Sequence, residues 1–196
     1  EVGIKGYYTT IMAGEGESAV DTEFPSDQAN HVIVTVPNGA DTLWLECTSQ
    51  TNPFGWMGKF TDNRHALMVT EQGGFLVKTP SHSAERNIQS RRADVELDLT
   101  GNAKAKVRTR YSGLQYENDG LNFVVNKQFD DQKKWLQRTT QIPSFDVVKF
   151  SIKNTKDKIP TADVETELIL NRFATVSGKR IFLTPNLMNR SSYSPE

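Results

Sequence analysis

Alternation of side-chain character over residues 94–111 constrains the fold of this chain more than any other feature. Residues 94–99 alternate acidic with apolar side chains, and residues 103–111 alternate basic with small or apolar ones. The turn-forming stretch Thr100-Gly101-Asn102 lies between them. A period of two is typical of a β-strand with one buried face. The pattern therefore predicts an antiparallel hairpin whose charged face points to solvent.

The alternation also predicts a register for this hairpin. A three-residue connection places acids opposite bases, in the pairs Asp98 with Lys104, Glu96 with Lys106 and Asp94 with Arg108. A one-residue slip would set every charge opposite an apolar side chain, so we expect the pattern to specify the pairing. Exposed ion pairs contribute only about 0–1 kcal/mol each, so this ladder is interpreted as a solvated face without a further role.

Most of the remaining apolar segments also predict strands. They share short length, β-branched or aromatic residues and bounding Gly, Pro or Asn, and they lie at 4–12, 31–47 (a hairpin), 65–71, 75–79, 147–153, 164–170, 173–177 and 180–183. One helix is predicted at 127–138, where acids come early and bases late, as the helix dipole favours. The expected fold is mainly β, α+β at most. A boundary near Pro80 divides it into domains 1–84 and 85–196.

Composition excludes several classes of function. The 196 residues carry 23 basic and 24 acidic side chains, so a broad positive field for nucleic acid is not expected. One cysteine and three widely spaced histidines predict neither a disulfide nor a metal or cofactor site. No apolar run approaches the length of a membrane span. The chain begins without Met or a leader, so we expect it to be an internal piece of a longer protein.

His31 and Glu46 are the candidate site residues. They open the first strand and end the second strand of the hairpin at 31–47. If Val36 pairs with Asp41 across the four-residue connection 37–40, His31 lies opposite Glu46, with Cβ atoms about 4.5–5.5 Å apart. A carboxylate at that distance can orient an imidazole that acts as a general base in nucleophilic catalysis. The alternative is an ordinary polar pair at a sheet edge.

The same register predicts that the lone thiol is buried. It places Cys47 on the face shared by Val32, Val34, Val36, Leu43 and Leu45. Because that face is uniformly apolar, we expect it to be the core side of the sheet. Cys47 is then a structural thiol that points away from His31 and reacts slowly in the native protein.

Aromatic residues near the hairpin are weaker candidates for lining a substrate groove. They are Trp44 on the second strand, together with Phe54, Trp56 and Phe60 in the loop at 48–61. The alternative is a loop folded over its own aromatic side chains. We also expect Asp62 and Arg64 to form an ion pair that shapes this loop.

Three stretches, at 3–8, 30–33 and 44–49, resemble the second half of the transglutaminase-like core of papain-like thiol enzymes. The longer stretch at 43–64 is similar to a subgroup in large multidomain envelope proteins of Bacteroides-type bacteria. Residues 87–196 resemble the domain that follows the core in those proteins. The resemblance implies the β half of a transglutaminase-like core followed by an antiparallel, β-sandwich-like domain with one helix.

The resemblance also implies a chemistry. The family uses Cys, His and an acid in that chain order, and its last two positions match His31 and Glu46, with Glu where Asp is more frequent. Its nucleophile precedes the 3–8 stretch, so the implied Cys lies upstream of this chain, and Cys47 does not occupy its position. The implied activity is hydrolysis or acyl transfer on a peptide or protein amide, without a cofactor. The chain alone is expected to be inert.

Two further expectations follow from the same resemblance. The upstream half of its own core is the implied partner, and the periplasm or cell envelope is the implied location. The alternative function is a non-catalytic, β-rich binding or structural module of a cell-envelope protein.

Overall fold

A computed structural model describes residues 3–15, 20–24, 26–39, 41–186 and 188. These residues form a mainly β structure, which confirms the predicted fold class. The strands are β1 (Tyr7–Ile11), β2 (His31–Asn38), β3 (Asp41–Leu45), β4 (His65–Thr70), β5 (Gly73–Lys78), β6 (Gln89–Leu97), β7 (Ala103–Ser112), β8 (Phe145–Thr155), β9 (Thr161–Leu170), β10 (Ala174–Ser177) and β11 (Arg180–Leu183). The helices are α1 (Leu121–Val124), α2 (Phe129–Thr139) and two 3₁₀ helices, Ala84–Arg86 and Gly113–Gly120.

The helix expected at 127–138 corresponds to α2, which begins two residues later and ends one residue later. The 3₁₀ helix at Gly113–Gly120 and the short α1 that follows it were not predicted. Their sequence has little amphipathic pattern, and helices this short are marginal without tertiary packing, so local sequence gives little signal for them.

The described residues form two compact units. The first contains the chain up to Ile88 together with Ser112–Asn118 and Thr155–Thr161. The second contains Gln89–Tyr111, Asp119–Asn154 and the chain from Ala162 onward. The sequence predicted one boundary, after residue 84, whereas the chain returns twice to its first unit.

The first unit is built on a five-stranded sheet with the order β3-β2-β1-β4-β5, and the pairs given by the register are antiparallel. One face of this sheet forms a buried core. The core side chains come from β1, β2, β3 and β4 and from the loop after β3, namely Ile11, Ala13, Ile33, Trp44, Met57 and Ala66. This face also carries His31, because it pairs with Ile11.

The β2–β3 register differs from the prediction by two residues. Asn38 pairs with Asp41 and Val36 with Leu43, whereas we expected Val36 to pair with Asp41. β2 continues through Pro37 and Asn38, so the connection is shorter than the predicted four residues. A shift of two leaves each side chain on its expected face, since side chains alternate with a period of two.

The prediction of which face is buried was wrong. Ile33, Thr35 and Trp44 are buried, whereas the valine face of β2 is only partly buried. The reason lies outside the strands, because the loop after β3 places Met57 against the Ile33 face. Cys47 was expected in the core and is exposed. It lies beyond the end of β3, where the strand alternation no longer determines its direction.

The second unit contains a four-stranded sheet, β6-β7-β9-β8, and the hairpin β10-β11. The buried side chains alternate with charged ones along β7 and β9. The β6–β7 register also differs from the prediction by two residues, because Glu96 pairs with Lys104 and Asp94 with Lys106. Acids still face bases at these two positions.

Asp98 explains the β6–β7 shift. It was expected opposite Lys104, and instead its carboxylate accepts hydrogen bonds from the backbone N–H groups of Thr100 and Asn102, at 2.8 and 3.0 Å. The Thr100 hydroxyl also donates to it, at 2.6 Å, and lowers the pKa of Asp98. The acid therefore belongs to a five-residue turn at 98–102 and not to the ladder.

Candidate functional site

His31 and Glu46 meet at the edge of the β2–β3 hairpin. His31 is the first residue of β2, and Glu46 follows the last residue of β3. The imidazole Nε2 lies 3.1 Å from Oε1 and 2.9 Å from Oε2 of Glu46. Continuing the observed register sets Thr48, and not Glu46, opposite His31, so the contact runs diagonally across the hairpin. The structure thus brings the two residues together through a different register from the predicted one.

The His31–Glu46 pair is largely shielded from water, and further hydrogen bonds fix the Glu46 carboxylate. The His31 side chain is 16% exposed and that of Glu46 is 5% exposed. Oε1 of Glu46 also accepts hydrogen bonds from the Thr48 backbone N–H, at 3.0 Å, and from the Thr48 hydroxyl, at 2.6 Å. These donors orient the carboxylate, and the carboxylate favours the imidazole tautomer that carries its proton on Nε2.

The second ring nitrogen of His31 faces a different environment. Within the described ranges, no group forms a hydrogen bond with Nδ1. The edge of the Phe60 ring packs against the imidazole, with ring centroids 5.0 Å apart and planes at 71°. An oriented imidazole with an available Nδ1 can take a proton from a nucleophile and return it to a leaving group.

Cys47 shows no hydrogen bond to this imidazole. The thiol is exposed, and its S–H group donates weakly to the Leu45 carbonyl oxygen, at 3.6 Å. The described residues therefore contain an imidazole–carboxylate pair without a thiol bonded to the imidazole.

The four predicted groove aromatics, Trp44, Phe54, Trp56 and Phe60, have different environments. Trp44 is buried in the sheet core, and Trp56 is also buried. Phe54 is 78% exposed. Phe60 is 47% exposed, and its ring contacts the His31 imidazole. Phe54 and Phe60 are therefore the two candidates that a substrate could touch directly.

A partly buried carboxylate in the same unit, that of Glu117, was missed by the sequence reasoning. Oε1 of Glu117 accepts from the Trp56 indole Nε1, at 3.2 Å, and from Asn52 Nδ2, at 3.5 Å. Oε2 accepts from the Lys59 backbone N–H at 2.9 Å. Burial raises the pKa of Glu117, and these hydrogen bonds and the Lys59 charge partly offset that rise. A lone Glu in a polar segment 58 residues from Lys59 carries no local signal of this contact.

His82 completes the surroundings of Trp56. Its ring stacks on the indole, with centroids 4.1 Å apart and planes at 18°, and its Nε2 donates to the Met57 carbonyl oxygen at 2.7 Å. Burial also raises the pKa of Asp62, an effect that the nearby His82 and Arg64 partly oppose. His82 therefore packs against the loop after β3 and is not part of the His31–Glu46 pair.

Arg64 contacts backbone rather than the expected carboxylate. Its guanidinium donates to four carbonyl oxygens, those of Asp62, Met12, Gly14 and Lys59, at 2.7–3.3 Å. The predicted Asp62–Arg64 ion pair is replaced by these bonds, which tie the loop to the end of β1. A planar group with five donors suits that arrangement.

In the part of the chain that the structure describes, no three His, Cys, Asp or Glu side chains converge to hold a metal ion. The helices of the same residues are too short or too polar to cross a membrane. No family model, curated protein sequence or solved structure matches the chain.

Proposed function

We propose that His31 and Glu46 are the general base and the orienting acid of a thiol-dependent acyl transfer. The observation that carries this proposal is the 2.9 Å contact between His31 Nε2 and Glu46 Oε2, made by two shielded side chains. A carboxylate that holds one imidazole nitrogen and leaves the other available matches the base-and-orienter half of a catalytic triad. The resemblance to transglutaminase-like cores points to the same two residues.

The reaction needs a cysteine from outside residues 1–196. In the proposed mechanism, His31 Nδ1 accepts the thiol proton and the thiolate attacks the carbonyl carbon of an amide. The proton then passes to the leaving amine as the C–N bond breaks, which leaves a thioester. Water releases an acid from this thioester, and a second amine releases a new amide. Without that cysteine, residues 1–196 are inert in this chemistry.

The resemblance supplies the remaining parts of the proposal. The substrate class is a peptide or protein amide, the partner is the upstream half of the same core, and the location is the periplasm or cell envelope. Glu46 has one methylene more than the Asp that is more frequent in the family. The observed contact distance indicates that this longer side chain still reaches the imidazole.

A second candidate function is a non-catalytic binding or structural module. It is favoured by the outer face of the five-stranded sheet, where Leu67, Val69 and Leu76 are each 45–49% exposed. Contiguous exposed apolar side chains of this kind are typical of surfaces that contact another protein segment. The upstream half of a catalytic core would also cover such a face, so a chemical test has to separate the two functions.

Thiol labelling provides that test. Iodoacetamide at pH 6 is applied to the longer polypeptide that includes the residues upstream of Glu1, and labelled cysteines are identified by mass spectrometry. We expect fast labelling of an upstream Cys, lost in His31→Ala, because only an activated thiol is a thiolate at this pH. His65→Ala is the matched control and should leave the rate unchanged. Equal rates in all three proteins, or no upstream Cys, would favour the non-catalytic module.

A further inference from the structure

We propose that Glu117 is a positioning residue for His31, acting through the loop at 52–61. This inference rests on the proposed role of His31 as the general base. Glu117 and the loop both belong to the first compact unit, although they lie far apart in the sequence. The carboxylate does not touch the imidazole. It holds the backbone and the side chains that set Phe60 against the imidazole ring.

Glu117 binds the loop at three points along its length. Its two oxygens accept hydrogen bonds from Asn52, from the Trp56 indole and from the Lys59 backbone N–H. The neighbouring Asn118 adds a fourth contact, since its Oδ1 accepts from Lys59 Nζ at 2.6 Å. Hydrogen bonds to a carboxylate are among the stronger ones in proteins, and this carboxylate is partly buried, so the loop conformation depends on the Glu117 side chain.

Gly58 shows how closely the loop fits the carboxylate. A Cβ atom at this position would overlap the carboxylate group of Glu117. The Gly58 carbonyl oxygen accepts hydrogen bonds from the backbone N–H groups of Thr61 and Asp62, at 3.0 and 2.9 Å. The turn that carries Phe60 therefore begins at the residue that lies against Glu117.

Phe60 depends on this turn for its position. Its side chain is 47% exposed, so burial in the core does not hold it. Its carbonyl oxygen accepts from the Gly14 backbone N–H at 2.9 Å, and its ring edge contacts His31. A change in the loop backbone would therefore move the ring and change the packing around the imidazole.

Nuclear magnetic resonance of the 196-residue chain tests the coupling directly. The His31 ring ¹H and ¹⁵N resonances are compared in the wild type, Glu117→Ala, Phe60→Leu and the double variant. We expect both single variants to shift these resonances, because each removes or moves an aromatic ring beside them. We expect the double variant to match Phe60→Leu, since Glu117 has no route to His31 once the ring is gone. Lower global stability alone leaves native-state resonances in place.

Glu15→Ala is the matched control. The Glu15 carboxylate contacts Lys59 Nζ at 3.4 Å without binding the loop backbone, so its removal should leave the His31 resonances unchanged. Gly58→Ala provides a second route to the same displacement if Glu117→Ala does not fold, and it should shift the His31 resonances. Wild-type His31 resonances in whichever of these variants folds would overturn the proposal. Failure of both to fold would assign Glu117 to stability alone and would overturn it too.

The labelling experiment separates this inference from the proposed function. Slower labelling of the upstream Cys in both His31→Ala and Glu117→Ala supports both. Slower labelling in His31→Ala alone would leave the function in place and overturn the positioning role. Coupled resonances with no effect of His31→Ala on labelling would overturn the function and leave the structural coupling.

Discussion

His31 Nε2 lies 2.9 Å from Glu46 Oε2, although the two residues are not cross-strand partners. A second polar pair on the same sheet face has the same relationship. Thr9 and Thr35 are also diagonal neighbours, in β1 and β2, and their hydroxyl oxygens are 2.7 Å apart. Both pairs lie on the buried face, where a polar group without a partner is costly. Because the two side chains of each diagonal pair hydrogen-bond to each other, this face can contain polar side chains within a core.

Removing the Glu46 carboxylate should destabilise the fold and abolish the preference of the His31 imidazole for one tautomer. Glu46→Ala leaves the His31 N–H and two Thr48 donors without their acceptor, so we expect a loss of about 1–3 kcal/mol in the free energy of unfolding. Urea unfolding followed by fluorescence gives this value. The ¹⁵N shifts of His31 should indicate a proton on Nε2 in the wild type and a mixed population in the variant. Glu46→Gln keeps a hydrogen-bond acceptor, so its free energy of unfolding should fall by less than that of Glu46→Ala. A wild-type protein with the proton on Nδ1 would contradict the proposed geometry.

The buried threonine pair predicts a strong coupling. Thr9→Val leaves the buried Thr35 hydroxyl without its Thr9 partner, at about 1–3 kcal/mol. Thr35→Val should cost less, because the Thr9 hydroxyl keeps its hydrogen bond to the Tyr7 carbonyl oxygen at 3.3 Å. Replacing both threonines with an apolar group of the same shape should cost less than the sum of the two single losses. Chemical denaturation of the two single variants and the double variant measures the coupling. Thr10→Val, on the other face of β1, is the control and should change stability by less than about 0.5 kcal/mol. Additive losses would show that the two hydroxyls do not depend on each other.

Strand periodicity explains what could be predicted of the two hairpins. The alternation assigns each residue of β6 and β7 to a face. The structure has an acid opposite a base at two positions, Glu96 with Lys104 and Asp94 with Lys106, whereas Arg108 faces Arg92. A shift of two residues preserves that assignment, so the pattern cannot separate the predicted register from the observed one. The turns determine which of the two registers forms. Asp98 binds backbone N–H groups of its own turn, and β2 continues through Pro37.

Burial could not be read from the strands alone. Both faces of the β2–β3 hairpin contain large apolar residues, and the more uniform valine face was expected inside. Which face is buried depends on the loop after β3, because this loop covers the face that carries Ile33 and Trp44. Loops contribute to burial through tertiary contacts that have no periodic signal. The position of Cys47 was missed because it lies beyond the end of β3, where strand alternation no longer determines its direction.

Cys47 should react rapidly in the native protein. The thiol is exposed and makes only a weak hydrogen bond to the Leu45 carbonyl oxygen. We expect one equivalent of Ellman's reagent to react at a similar rate in native buffer and in urea. Cys47→Ser should abolish the reaction and change stability by less than about 0.5 kcal/mol. A native rate far below the rate in urea would place the sulfur in the core, as the original strand prediction had it.

Glu117 marks the limit of sequence reasoning for the candidate site. His31 and Glu46 lie in one hairpin, so strand geometry alone suggested their contact. The contact between Glu117 and the loop at 52–61 joins segments that are distant in the sequence, and no periodic pattern connects them. Gly58 is the one local clue, and the space it leaves is apparent only with the carboxylate in place.

The raised pKa of Glu117 predicts a specific pH dependence of stability. Burial is the main cause of the rise, and the Asp62 charge adds to it. The folded state therefore binds a proton more readily than the unfolded chain, so this group favours folding more as the pH falls from neutral towards about 4.3, the ordinary value for Glu. The free energy of unfolding of the wild type, minus that of Glu117→Gln, should rise over this window in urea titrations at several pH values. Glu85, whose pKa is lowered by the Ser83 hydroxyl, should give the opposite slope in Glu85→Gln, and it should do so at pH values below about 4.3, where the unfolded chain binds the proton more readily. A flat or falling difference for Glu117 would show that its carboxylate is not held in a desolvated site.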